Sequence, residues 1–263
     1  MSASKKLKMT LSIVSHGHMH YVCRLLQDIA RFERDDLEVI LTLNLPESIG
    51  CDLKSFPFRV QLIQNTQPKG FAANHNGAFA LSRGENFVIL NPDIQLLADP
   101  FGPLLVMLAR NRKSIVAPLI VNQTGSIEDS ARNFPSPLSL MKKVAGKALK
   151  LRLPSDVLVA RDEMLMPDWV AGMFMVVPRN IYSALQGLSE YYFLYYEDVD
   201  FCARARLAGV EILVNQQVSV IHEAQRDSHR KARYLLWHMK SAAKFFTSPA
   251  YLKISLRRMF GTP

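Results

Sequence analysis

Short apolar runs alternate with helix-period stretches through the first hundred residues of the chain. Leu11–Ser15 is a brief run rich in β-formers, and Val22, Leu25, Leu26, Ile29 and Phe32 then fall on one helical face. Leu37–Leu43 reads as a second strand, Val60–Gln64 as a third and Phe87–Leu90 as a fourth, while the small-residue stretch Phe71–Leu81 reads as a helix. This alternation predicts an α/β fold with a Rossmann-like, mostly parallel central sheet and flanking helices. In such sheets ligands gather beyond the carboxyl ends of the strands. The residues there are Ser15-His16-Gly17-His18 after the first strand, Asn44 after the second and Asn91-Pro92-Asp93 after the fourth.

The second half is more mixed. Ile115–Val121 reads as a strand, Ser126 to Pro137 as a polar loop and Leu140–Leu153 as a basic amphipathic segment. Asp168–Val177 reads as one strand with Gly172 inside it, a position where a ligand or another backbone comes close. Glu197–Ala208 is predicted to be a helix that opens on acids and stops at Gly209. Val210–Val214 and Val218–Ile221 read as short strands, and a long basic helix is expected from about Ser228 to Phe246. In that helix Leu235, Met239, Ala242 and Phe246 share one face, with Arg233, Lys240 and Lys244 opposite. No repeat, low-complexity tract or linker interrupts the pattern. We expect one body over residues 1–225 (about 1–97 binding nucleotide, 98–225 binding acceptor) and a basic helical tail over 226–263.

Composition narrows the class. With 49% hydrophobic and 21% charged residues in 263, the chain can bury a sizeable core and is not disordered. The formal charge of +9 is concentrated at the end, where Arg226, Arg230, Lys231, Arg233, Lys240, Lys244, Lys253, Arg257 and Arg258 face a single acid, Asp227. A body near neutrality thus carries a tail suited to anionic partners. Cys23, Cys51 and Cys202 are scattered and odd in number, which argues against a disulfide framework or a zinc-thiolate site and for a reducing compartment. The longest apolar run, Trp169 to Val177, is too short to cross a bilayer, and the apolar stretch after the N-terminal lysines stops at His16, too soon for a secretory signal. A cytoplasmic protein is expected.

Neither Gly-x-Gly-x-x-Gly nor a Walker-type glycine loop follows any strand, which disfavours dinucleotide dehydrogenases and P-loop enzymes. Asp93 at a strand end suits a cation bridging two phosphate oxygens, although Asn-Pro-Asp is also ordinary turn chemistry. Glu197-Asp198-Val199-Asp200 follows the aromatic stretch Tyr191–Tyr196. Carboxylates in apolar surroundings acquire raised pKa values and serve as general bases, but acids at a helix start also suit its dipole, and Asp200 with Arg204 makes an i,i+4 pair. His222, ending a strand, is a candidate metal ligand or a structural histidine. The run His16, His18, His20 fits a nucleotide-contacting loop better than a metal site.

Taken in order, six segments resemble the inverting family 2 glycosyltransferases of the GT-A fold, in particular bacterial rhamnosyltransferases of O-antigen and cell-wall assembly. They are Ile13–His18, Lys69–Gly77, Leu90–Asp93, Asp168–Gly172, Tyr192–Arg204 and Val220–His222, which together span most of the body. The resemblance implies that Asp93 binds a Mg2+ or Mn2+ ion with His222, with Asn91 at the first position of an Asp-x-Asp-like motif. It implies that Asp198 is the catalytic base with Glu197 beside it. Ser15, His16, Gly17, Asn44, Gly70, Asn74 and Asn76 then surround the nucleotide sugar, and Trp169, Gly172 and Arg204 the acceptor. One departure stands out: the second strand usually ends in Asp-Asn but here reads Leu43-Asn44, so Asn44 acts alone or another residue takes over.

The branch it resembles moves L-rhamnose from dTDP-L-rhamnose onto N-acetylglucosaminyl-diphospho-undecaprenol. The implied partners are that donor, a polyprenyl-diphosphate-linked saccharide acceptor and an anionic membrane surface met by the tail, on the cytoplasmic face of the bacterial inner membrane. A UDP- or GDP-sugar donor, a paired-carboxylate glycoside hydrolase and an inactive scaffold in glycan assembly are the competing readings. Nucleic acid binding is not expected, because the charge is terminal and no recognition module accompanies it.

Overall fold

The computed structural model describes residues 6–137, 158, 163–223 and 232–260. The basic segment Leu140–Leu153 and the start of the tail, 224–231, lie outside the described residues.

The chain runs β1 (Met9–Ser15), α1 (Met19–Ala30), β2 (Leu37–Leu43), β3 (Arg59–Gln64), α2 (Phe71–Leu81), β4 (Asn86–Leu90) and β5 (Ile94–Gln95). It continues through α3 (Phe101–Arg110), β6 (Ser114–Val121), β7 (Ala131–Arg132), β8 (Met164–Leu165), β9 (Trp169–Val170) and β10 (Phe174–Pro178). The last elements are α4 (Arg179–Ala184), α5 (Glu197–Leu207), β11 (Glu211–His222), α6 (Ala232–Phe246) and α7 (Pro249–Phe260).

The main sheet has the order β3-β2-β1-β4-β10-β6-β11-β5, with β8 on β11. β1, β2, β3 and β4 pair in parallel, as the alternation predicted, and β6 pairs in parallel with β11. β10 enters antiparallel between β4 and β6 and so joins the two halves into one sheet. β2 is buried at every position, as a central strand covered on both faces must be. Its one acid, Glu38, is only 2% exposed and is held by Thr10 at 2.9 Å and by Arg83 at 2.6 Å. Burial alone would raise its pKa, but the hydrogen bonds from Arg83 and Thr10 carry it below the ordinary value.

Several sequence expectations need correction. Asp168–Val177 is not one strand: β9 pairs with β7 in a separate two-stranded sheet, and the chain turns through Ala171–Met173 before β10. The two strands expected over Val210–Ile221 are one, β11, whose register shifts between Asn215 and Ser219. α3 escaped the pattern because Pro103 sits inside it; in the first helical turn the missing N–H has no helical partner to lose. Cys23 and Cys51 form a disulfide with Cα atoms 5.9 Å apart. The expectation of unpaired thiols was wrong because the loop after β2 returns over α1, and spacing along the chain does not report that. The cysteines therefore do not argue for a reducing compartment. Cys202 remains free and buried, its thiol pushed up to about 12 by burial.

In α6 the buried side is formed by Ser241, Ala242 and Phe245, whereas Leu235, Leu236 and Met239 are exposed. The face grouped by sequence is thus split: Ala242 packs inward and Leu235 and Met239 point out. No described helix is long and apolar enough to cross a membrane.

Candidate active site

Three strand ends and one helix start build the site. The parallel register sets Ser15 beside Leu43, so His16 and Asn44 emerge as neighbours. Asn44 Nδ2 lies 3.0 Å from His16 Nδ1 and donates to the Lys69 carbonyl at 2.9 Å. Its Oδ1 accepts from Lys69 N and from Asn65 Nδ2, both at 2.8 Å. Asn65 Nδ2 also reaches Asn74 Oδ1 at 2.6 Å, and Asn74 Nδ2 donates to the Gly70 carbonyl at 3.0 Å. Asn44, Asn65 and Asn74 are all buried, and their mutual hydrogen bonds meet the cost of burying carboxamides. This network fixes Lys69-Gly70 at the start of α2. Asn65 was missed from sequence because a lone Asn after a short strand carries no pattern.

Around the first strand end, Ser15 Oγ accepts from His18 N at 3.2 Å. The Glu47 carboxylate accepts from Gly17 N and Met19 N, both at 3.1 Å, at the N-terminus of α1. Glu47 thus places an acid at this mouth although Leu43 lacks one. Asn76 faces elsewhere: its Oδ1 accepts from Tyr182 Oη at 2.8 Å and Leu188 N at 3.0 Å, and its Nδ2 donates to Leu188 O at 2.9 Å.

The Asp93–His222 pair follows from topology. β5 pairs antiparallel with the end of β11, setting His222 opposite Ile94, and Glu223 N donates to the Asp93 carbonyl at 2.9 Å. His222 Nε2 is 3.4 Å from Asp93 Oδ2, and its Nδ1 is 2.6 Å from Glu128 Oε2. Burial works against the imidazolium, yet Asp93 and then Glu128 raise its pKa above the ordinary histidine value. Among the described residues no three His, Cys, Asp or Glu side chains form a ready ligand set. Asp93 Oδ1 is nonetheless buried without a hydrogen-bond partner, as suits a group waiting for a cation. Asp93 and His222 are the two side chains here whose chemistry would suit a divalent cation. Glu128 lay in the stretch read as a polar loop and was not singled out.

On the other side, the backbone turns through two left-handed residues, Tyr195 (φ 68°) and Tyr196 (φ 70°), immediately before α5. For non-glycine residues this conformation is costly and must be held by its surroundings. Tyr196 is buried against His238 (5.3 Å) and Phe245 (5.6 Å) of α6, and Phe193 packs on Trp237 at 5.1 Å. Ser241 Oγ donates to the Leu194 carbonyl at 2.9 Å. Gly70 is required by this loop, since a Cβ there would lie 2.6 Å from the Phe193 carbonyl oxygen.

The loop delivers Glu197 and Asp198. Asp198 Oδ2 accepts from Gly172 N at 3.1 Å and Oδ1 from Val199 N at 2.8 Å. Burial raises its pKa against the pull of those amides. Glu197 is buried, its Oε2 has no hydrogen-bond partner, and burial and then the neighbouring Asp198 charge push its pKa well up. Asn91 N donates to Met173 O at 2.8 Å, which ties the end of β4 to the turn that holds Asp198. A Cβ on Gly172 would meet the Phe71 ring at 3.0 Å.

Trp169 Nε1 donates to the Asn133 carbonyl at 3.1 Å, with the Arg132 guanidinium 5.8 Å from its ring centre. The Arg132 charge also acts on Asp198, so this arginine, not chosen from sequence, belongs to the site's electrostatics. Arg204 is tied to Asp200 at 2.7 Å and to the Gly187 carbonyl at 2.9 Å.

The model of the family described as "Glycosyl transferase family 2" matches residues 11–159. Rhamnosyltransferase WbbL of Escherichia coli K12 is 26% identical over 243 residues, covering 89% of this chain and 90% of that protein. The N-acetylglucosaminyl-diphospho-decaprenol L-rhamnosyltransferase of Mycobacterium tuberculosis is 31% identical over 166 residues, 60% of this chain and 53% of that one. Among solved structures, the mannosyltransferase PcManGT of Pyrobaculum calidifontis, in complex with GDP-Man and Mn2+, aligns with a TM-score of 0.60 at 16% identity, over 95% of this chain and 68% of that one.

Proposed function

The chain belongs to glycosyl transferase family 2, and from that premise we propose that it is an inverting transferase moving L-rhamnose from dTDP-L-rhamnose onto a polyprenyl-diphosphate-linked saccharide. Membership rests on the family match over residues 11–159. The rhamnose donor and lipid-linked acceptor are supported by the names of the Escherichia coli and Mycobacterium tuberculosis relatives.

In this reading residues 1–97 bind the nucleotide and 98–225 the acceptor. Ser15, His16, Gly17, Asn44, Gly70 and Asn74, with Asn91, form or support the donor site, whereas Asn76, expected there, instead ties α2 to Tyr182 and Leu188. Asp93 and His222 would hold a Mg2+ or Mn2+ ion, which would supply positive charge to a departing nucleoside diphosphate. Asp198 accepts the proton of the acceptor hydroxyl as that oxygen attacks the anomeric carbon from the face opposite the diphosphate. The C–O bond to the diphosphate breaks, the new glycosidic bond forms, and the anomeric centre inverts in one displacement. A raised pKa suits Asp198 to this, because a stronger base shares more of the proton in the transition state. Glu197 lies beside it, and the Asp198 charge, after burial, pushes the Glu197 carboxyl well up, so Asp198 is the member of the pair that carries charge first. Trp169, Gly172 and Arg204 shape the acceptor side. Such an acceptor lies in an anionic membrane surface, and the basic region 226–263 is the part of the chain suited to meet it.

The test is a thermal-shift screen of dTDP-rhamnose, dTDP, UDP-sugars and GDP-sugars, each with and without Mn2+ or Mg2+. Metal-dependent stabilisation by dTDP compounds alone supports the reading. Stabilisation by UDP or GDP compounds replaces the donor, and no response to any nucleotide favours an inactive scaffold.

A further inference from the structure

The two C-terminal helices have opposite faces with opposite characters. Inward, α6 is the wall behind Tyr191–Tyr196, through Trp237, His238, Ser241 and Phe245. α7 buries Ala250 and Ile254, packs on α5, and pairs Arg258 with Asp168. Outward, Leu235, Leu236 and Met239 of α6 stand in water. On α7 so do Leu252, Leu256, Met259 and Phe260, the last two 76% and 75% exposed. Their i, i+4, i+7, i+8 spacing makes one continuous apolar stripe turned away from Ile254. Large apolar side chains exposed in contiguous stripes mark an interaction surface.

The charges say what covers it. α6 and α7 contain no Asp or Glu at all. Lys240, Lys253 and Arg257 are exposed on the same helices, flanking the apolar positions. An acid-free, cation-flanked apolar stripe fits a surface that is apolar beneath and anionic above. A protein partner would more often call for charges of both signs.

We propose that the outward faces of α6 and α7 form one docking surface for an anionic lipid bilayer, with Leu252, Leu256, Met259 and Phe260 inserted below the head groups. The proposal rests on the lipid-linked acceptor in the reading above and adds the surface that reaches it. Because the inward face of α6 holds the loop ending at Asp198, docking on the outward face sets the membrane at the thickness of one helix from that loop. Acceptor head groups then arrive at the base by lateral diffusion in the membrane.

Flotation of the full chain with phosphatidylcholine vesicles, and with the same vesicles containing phosphatidylglycerol, tests this. Binding is expected to the anionic vesicles only, weakening with salt. Leu256→Glu with Met259→Glu is expected to lower binding by at least about tenfold. Lys253→Gln with Arg257→Gln lowers the salt-sensitive part. All four side chains are exposed, so melting temperature and donor binding should stay at wild-type values and certify the fold. Absence of flotation, or flotation unaltered by the Glu pair, overturns the proposal. So does a concentration-dependent dimer in light scattering that the Glu pair dissolves, because a second copy would then cover the stripe. Flotation that obeys the prediction in a chain that binds no nucleotide sugar would sink the transferase reading and leave the docking surface standing.

Discussion

The backbone amide of Gly172 donates to Asp198 Oδ2 at 3.1 Å, joining the turn before β10 to the first turn of α5. With Val199 N on Oδ1 at 2.8 Å, this amide fixes the carboxylate's direction, while burial outweighs both hydrogen bonds and keeps the group more basic than an ordinary Asp. The same turn receives Asn91 N through Met173, so one short segment aligns both the strand end that leads to Asp93 and the Asp198 carboxylate.

Asp198→Asn is expected to lower kcat by about 10²–10⁴-fold while leaving donor binding near the wild-type value. Since burial raises the Asp198 pKa, the acid limb of the kcat/KM profile should lie above the ordinary value of 3.8, and activity should fall as pH drops through it. Near-normal turnover in the Asn variant, or an acid limb at the ordinary value, would refute the role.

Glu197 gives a prediction about stability. Its folded pKa is raised above the ordinary 4.5, so the unfolded chain releases this proton first and stability declines as pH rises through the window from about 4.5 to the folded value. Glu197→Gln should therefore stabilise the protein at pH 7 by on the order of 1 kcal/mol. The advantage should vanish in acid, where Glu197 is neutral in both states. Melting curves across that range decide it; a pH-independent difference would mean that shape, not charge, is what the variant changes.

Glu128 holds Nδ1 of His222 at 2.6 Å, leaving Nε2 toward Asp93. A carboxylate behind a ligating imidazole sets its tautomer and orientation. Glu128→Ala should weaken Mn2+ affinity by about ten- to a hundredfold, read by electron paramagnetic resonance, with Glu128→Gln recovering part of it. An unchanged affinity would remove Glu128 from the metal site.

Asn65 bridges the carboxamide oxygens of Asn44 and Asn74. Asn65→Ala takes the donor from Asn74 Oδ1 and leaves Asn44 Oδ1 with Lys69 N alone, at an expected cost of about 2 kcal/mol in urea unfolding. Donor KM should rise with it, because Lys69-Gly70 loses its anchor. Loss of stability without any change in KM would make the network purely structural.

The parallel half of the sheet was legible because β1, β2 and β4 are buried strands of ordinary length, with α1 and α2 as readable helices between the strands. Asp93 and Asp198 were legible as residues at strand and helix boundaries. Their surroundings were not. β5 is two residues long, below what periodicity can register, yet its pairing with β11 is what brings His222 to Asp93. Glu128 and Arg132 sit in a polar stretch that meets His222 and Trp169 from far along the chain, which leaves no spacing to recognise. The Cys23–Cys51 bridge depended on a loop folding back, and α7 follows a proline-led break that ended the basic pattern too early.

The insertion of β10 also bears on how the chain emerges from the ribosome. β1 to β4 form a contiguous unit from the first ninety residues, but the β4 edge is covered only by Phe174–Pro178. Until those residues are made, an apolar strand with unpaired amides and carbonyls faces outward. A pause or truncation anywhere between Leu90 and Phe174 would leave that edge bare. Nascent chains halted there should recruit chaperones or each other, whereas chains released after Pro178 can close the sheet on their own.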